Sequence, residues 1–70
     1  MAEKLEYKIE KKIGIIGNDD GGWTKQLNLI SWNGAEPKYD IRNWSADGQR
    51  MSKGITLTEE ELKTLKTLIK

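Results

Sequence analysis

From Leu5 to Ile16 the chain sets Leu5, Tyr7, Ile9, Ile13 and Ile15 on odd positions, with Glu6, Lys8, Glu10 and Lys12 on even ones. In an extended chain successive side chains point to opposite faces, so this alternation predicts a long half-buried strand. Gly17-Asn18-Asp19-Asp20-Gly21-Gly22 follows, and residues that tolerate positive φ predict a hairpin loop there rather than a phosphate cradle. A second strand runs from Trp23 to Trp32, with Trp23, Leu27 and Leu29 odd and Thr24, Gln26, Asn28, Ile30 and Trp32 even. Asn33-Gly34-Ala35-Glu36-Pro37 is the next turn, since Asn-Gly bends the chain readily and Pro37 has no N–H for a central ladder.

Lys38 to Ser45 reads as the third strand, with Tyr39 and Ile41 on one face and Lys38, Asp40, Arg42 and Trp44 on the other. Ala46 to Lys53 is polar and carries the turn signal Asp47-Gly48, which leaves Gly54 to Leu57 as a short fourth strand. Thr58 with Glu61 has capping-box spacing, Glu59 and Glu60 favour the positive helix end, and Lys63, Lys66 and Lys70 favour the other. Leu62, Leu65, Leu68 and Ile69 make the helix's apolar stripe. No repeat or linker divides the chain. The expectation is one α+β domain over residues 1–70, a four-stranded antiparallel sheet followed by one C-terminal helix, in the order β-β-β-β-α.

Directly opposed residues of an antiparallel pair share a face. Pairing Ile15 with Trp23 and Trp32 with Lys38 would put the odd residues of all three strands, Trp23 among them, into one core with the helix stripe. The opposite face then displays Lys8, Lys12, Gln26, Asn28, Ile30, Trp32, Lys38, Arg42 and Trp44, with Glu6, Glu10 and Asp40 among them. Cations that track phosphates, interleaved with aromatic faces that stack bases, make a surface for single-stranded nucleic acid. Two other readings compete: Trp32 and Trp44 as a dimer contact, and Lys8, Lys12 and Lys38 as solvated charges that keep a sheet from aggregating.

Size alters this picture. A domain of 70 residues has a small core, worth only about 3–5 kcal/mol, and usually needs a staple. With no Cys and no His, disulfides and zinc are unavailable, so self-association remains and a homodimer is expected. No cofactor and no metal is expected; Asp19-Asp20 lacks the further spaced acids of a calcium cage. There is no apolar run near the roughly 20 residues that span a bilayer and no signal-like N-terminus, so a cytoplasmic protein with no membrane partner is expected. Twelve Lys and Arg against eleven Asp and Glu give only +1, which moves the weight of the nucleic-acid reading from bulk charge to stacking.

Lys-Tyr-Asp-Ile-Arg-Asn-Trp (38–44) and Lys-Gly-Ile-Thr-Leu-Thr with the Leu-Lys-x-Leu helix (53–66) resemble the single-stranded-DNA-binding domain of the transcriptional coactivator positive cofactor four, and its small bacterial relatives of the YdbC type above all. The resemblance covers most of the chain and is most specific from Tyr39 to Ile69. It implies a dimer of sheets backed by helices that presents curved faces to single strands or melted duplex. It also implies a base-stacking aromatic at Trp32, a phosphate-contacting arginine at Arg42, a strand-three aromatic near Trp44 and a lysine contact at Lys53. The family often has two adjacent aromatics after the arginine; here Asn43 intervenes and the following loop is shorter. The coactivator's Ser-rich regulatory tail has no counterpart in this sequence.

The function expected from residues and resemblance together is a sequence-tolerant single-stranded DNA-binding homodimer of transcription, replication or repair, with RNA and melted duplex as related ligands. Its expected contacts are Lys8, Lys12, Gln26, Asn28, Trp32, Lys38, Arg42, Trp44 and Lys53. The alternative is a protein-interaction module whose Ile30, Trp32 and Trp44 patch docks an apolar partner. An enzyme, or a small-molecule substrate, is not expected, because His, Cys and any nucleophile or phosphate-loop motif are missing.

Overall fold

A computed structural model describes residues 6–18 and 21–70; Leu5, Asp19 and Asp20, which the sequence reading placed in the first strand and its loop, lie outside the described residues. The element order is β1 (Tyr7–Asn18), β2 (Thr24–Trp32), β3 (Lys38–Trp44), β4 (Ile55–Leu57) and α1 (Glu59–Leu68). The strands form one antiparallel sheet in sequence order, β1-β2-β3-β4, which is the fold the alternation predicts.

Local chemistry explains the joints. Asn33 and Gly34 have φ of 51° and 78°, the left-handed pair that a type I′ turn demands, and the Ala35 N–H donates to the Trp32 carbonyl at 2.9 Å. Asn33 also ties this turn to the start of β1: its N–H donates to the Glu6 carbonyl and its Oδ1 accepts from the Glu6 N–H. At α1 both halves of the capping box form, with Glu61 N–H on Thr58 Oγ1 at 3.1 Å and Thr58 N–H on Glu61 Oε1 at 2.9 Å.

β2 and β3 pair as Thr24↔Trp44 through Ile30↔Lys38, a register two residues from the Trp32–Lys38 pairing but of the same parity. β1 departs from expectation. Its ladder to β2 shifts between Ile9 and Lys11, between Lys12 and Gly14, and between Ile15 and Gly17. Each shift is a bulge that carries one extra residue and reverses the parity that follows. Tyr7 and Ile9 thus oppose Trp32 and Ile30, Lys12 opposes Asn28, and Ile15 opposes Gln26, all on the even face of β2. Lys8 opposes Ser31 and so lies on the odd face, which corrects its expected place beside Lys12.

The bulges also bend the sheet. Trp32 and Thr24, the partner of Trp44, stand eight residues apart on β2, a span of about 27 Å in a flat strand. The Tyr7 ring nonetheless lies 5.5 Å from Trp32 and 5.7 Å from Trp44. The even face is therefore concave and closes on itself: Ile30, Asn28, Asp40 and Trp44 are its buried residues. The odd face is the reverse of the expected sealed core. Among the described residues α1 packs only on β3 and β4, Leu27, Leu29, Ile41, Leu62 and Leu65 are half-buried, and Ile55, Leu68 and Ile69 are exposed. Trp23, expected in that core, precedes β2 and is half-buried at a hollow that it lines together with Ser45, Ala46 and Arg50.

The segment before β4 lies tight on β3, since a Cβ on Gly54 would overlap the Ile41 carbonyl oxygen and the Arg42 Cβ. Gly54→Ala must push backbone from backbone. A loss of about 1–3 kcal/mol in denaturant unfolding is expected, and no loss would show that the two segments can separate freely.

Candidate nucleic-acid interface

The concave face assembles rows that run across the strands. Trp32 stands with Tyr7, Ile30 with Ile9 and Lys38, Asn28 with Lys12, Asp40 and Thr56, and Gln26 with Ile15 and Arg42. Side chains two apart on one strand share this face, and β2 joins them in a polar chain: Asn28 Nδ2 donates to Gln26 Oε1 at 3.3 Å and Gln26 Nε2 to Thr24 Oγ1 at 2.8 Å.

On β3 the same spacing brings Arg42 onto Asp40, side-on, with Nε on Oδ1 at 2.6 Å and Nη2 on Oδ2 at 2.7 Å. Nη1 donates to the Ser52 carbonyl at 3.3 Å, and the guanidinium carbon sits 4.7 Å over the Trp32 ring. A cleft of about 440 Å³ opens beside this stack, lined by Trp32, Ala35, Glu36, Lys38, Arg42 and Thr56. Its size is that of a small-ligand site. A second hollow of about 290 Å³ lies along the same face, with Lys12, Gln26 and Asn28 in its wall.

Lys12, Gln26, Asn28, Trp32, Lys38, Arg42 and Trp44 thus share one face, as expected, whereas Lys8 does not, and Lys53 is exposed in the segment leading into β4. Sharing a face is not the same as being displayed. Trp44 is 3% exposed and Asn28 1%, because the bend folds Tyr7 over one and packs the other between Lys12 and Asp40. The apolar docking patch of the protein-interaction reading loses two of its three members in the same way, for Ile30 is also fully buried. Trp32 stays partly open, although its Nε1 is buried and, like that of Trp44, has no hydrogen-bond partner among the described residues.

Tyr7, like Ile9, Ile15 and Lys8, lies on the face opposite to the one that alternation predicts. It is 38% exposed and stands against both tryptophans on the concave face. Asp40, which alternation places on this face beside Arg42, is the anchor of the guanidinium. Lys25, opposite Gly17 and Asn43, lies on the odd face with Lys8. Beyond the cleft, the 45–50 hairpin is tied by Asp47, which accepts from the Gln49 N–H and the Ser45 hydroxyl; these bonds hold its carboxyl below the ordinary carboxylate range. Among the described residues no three acidic, His or Cys side chains gather as a metal site, and no helix is long and apolar enough to cross a membrane.

The chain is similar to known proteins. The family described as Transcriptional Coactivator p15 (PC4) matches residues 20–68. An uncharacterized protein of Treponema pallidum (strain Nichols) is 40% identical over 67 residues, which cover 96% of this chain and 79% of that one. The family match begins after β1 and takes in the turn, the Asp40–Arg42 pair, the Gly54 segment and the capped helix, and on it the chain belongs to the transcriptional coactivator p15 (PC4) family.

Proposed function

We propose that this protein is a sequence-tolerant single-stranded DNA-binding protein that works as a homodimer in the cytoplasm, in transcription, replication or repair, and has no catalytic role. The family is known for binding single-stranded DNA. The observation that carries the reading for this chain is the half-open Trp32, with Tyr7 at one side and a cleft with Lys38 at the other. Bases stack on Trp32, with Tyr7 as the second aromatic in place of the buried Trp44. Phosphates meet Lys12, Lys38 and Lys53, and Gln26 lines the path between them. Stacking tolerates sequence because every base has a π-face, and RNA and melted duplex offer the same faces.

Binding of labelled oligo-dT, a mixed single strand, an RNA and the matched duplex at two salt concentrations tests the reading. Trp32→Ala is expected to weaken single-strand binding by about 1–3 kcal/mol while the fold stays largely intact. Equal affinity for duplex and single strand would defeat it, since a duplex hides its base faces.

The homodimer rests on the odd face. An open apolar groove runs between β4 and α1, with Ile55, Leu57, Leu65 and Leu68 in its walls, and the sheet beyond the helix is only half covered. A second copy would cover both with like surface. Sedimentation should give a dimer, and Ile55→Glu with Leu68→Glu should raise its dissociation constant at least a hundredfold, since two buried charges would face their own copies. A wild-type monomer that unfolds cooperatively at micromolar concentration would show that no second copy is needed.

A further inference from the structure

On the strand-binding reading above, we propose that Asp40 is a positioning residue: it locks Arg42 as a flat shelf under Trp32, and Arg42 supports the stacking ring instead of contacting phosphate. Asp40 is fully buried, and Arg42, 14% exposed, shows only a small part of its side chain to the cleft it lines. The carboxylate takes the guanidinium through Nε and Nη2, and Ser52 holds Nη1, which fixes its plane from three sides. A carboxylate this close cancels the charge a phosphate would seek. The same fixation leaves one guanidinium face over the Trp32 ring at 4.7 Å, a cation–π contact that orders the indole before any base arrives. A ring held in place in advance loses less freedom on binding. Arg42 lies over one face of Trp32 and Tyr7 stands 5.5 Å from the ring, so a base stacks on the part of the indole that both leave open to the cleft.

Salt dependence separates a shelf from a phosphate contact, because each phosphate contact on a single strand contributes about 0.7 to the slope of log affinity against log salt. Oligo-dT binding is measured across a salt series for the wild type, Asp40→Asn, Arg42→Lys, the double variant Asp40→Asn/Arg42→Gln, and Lys53→Ala as the phosphate reference. Asp40→Asn frees a full positive charge, and the slope is expected to steepen by about 0.7. In the double variant amide faces amide, so the fold does not depend on an unpaired buried charge. Its slope should equal the wild type's while affinity falls roughly fivefold or more at every salt. Arg42→Lys keeps the charge but loses the plane and should likewise bind more weakly at equal slope.

A slope that drops by about 0.7 in the double variant, or Arg42→Lys binding within twofold of the wild type, would return Arg42 to the phosphates. An unsteepened slope in folded Asp40→Asn would overturn the locking role; should that variant not fold, the double variant decides. Failure of the wild type to bind any single strand would remove the strand-binding reading itself, an outcome distinct from all of these.

Discussion

Trp44→Ala is expected to cost about 3–5 kcal/mol of stability in denaturant unfolding, with binding lost only as far as the fold is lost. Alternation alone puts this ring on the outer face beside Arg42, where truncation would be harmless to the fold. The bend reverses that. Trp44 is 3% exposed, Tyr7 leans on it at 5.7 Å, and its backbone pairs with Met51 where the chain returns from the 45–50 hairpin. Removing the indole leaves a cavity under Tyr7 that surrounding side chains can refill only in part. Trp44→Phe keeps a ring against Tyr7 and discards an N–H that has no acceptor among the described residues, so it should lose much less. Full stability in Trp44→Ala with abolished binding would mean that this tryptophan is the exposed platform after all.

The difference between Trp44 and Trp32 shows where legibility ends. Features decided within a few residues were readable. Asn33-Gly34 specifies its own turn, Thr58 and Glu61 specify the cap, and the β2–β3 parity follows from two strands joined by that turn. Tyr7 and Lys8 were misassigned because a bulge changes parity, and a strand with three of them no longer repeats every two residues. Signs of this were in the sequence: Lys11-Lys12 and Ile15-Ile16 break the alternation, and Gly14 and Gly17 interrupt a strand interior, where glycine marks bulges. The burial of Trp44, Asn28 and Asp40 had no such sign, for it comes from a curvature that brings distant ends of β2 together. The half-covered odd face was hidden too, because an apolar stripe looks the same whether its own sheet or a second copy covers it.

Asp40 is the clearest instance of a residue whose weight only curvature reveals, and Arg42→Ala measures it: the substitution should lower stability by about 3–5 kcal/mol, since it strands a buried carboxylate. Asp40 is fully buried, and both its oxygens accept from Arg42 alone among the hydrogen bonds described. Desolvation of the two charges offsets much of their attraction, so the pair itself adds little to stability. Its breakage is costly for a different reason, namely what remains behind. Asp40→Leu with Arg42→Met, which removes both charges and keeps apolar volume, should therefore unfold near the wild type and be far more stable than Arg42→Ala. With the single variants Asp40→Leu and Arg42→Met, the wild type and this double variant form a double-mutant cycle, and strong coupling is expected because the residues share one contact. A cost below about 1 kcal/mol for Arg42→Ala would put the pair in the class of solvated surface bridges. Water would then reach Asp40, the guanidinium would be free to leave Trp32, and the concave face would be open enough for Arg42 to meet a phosphate directly.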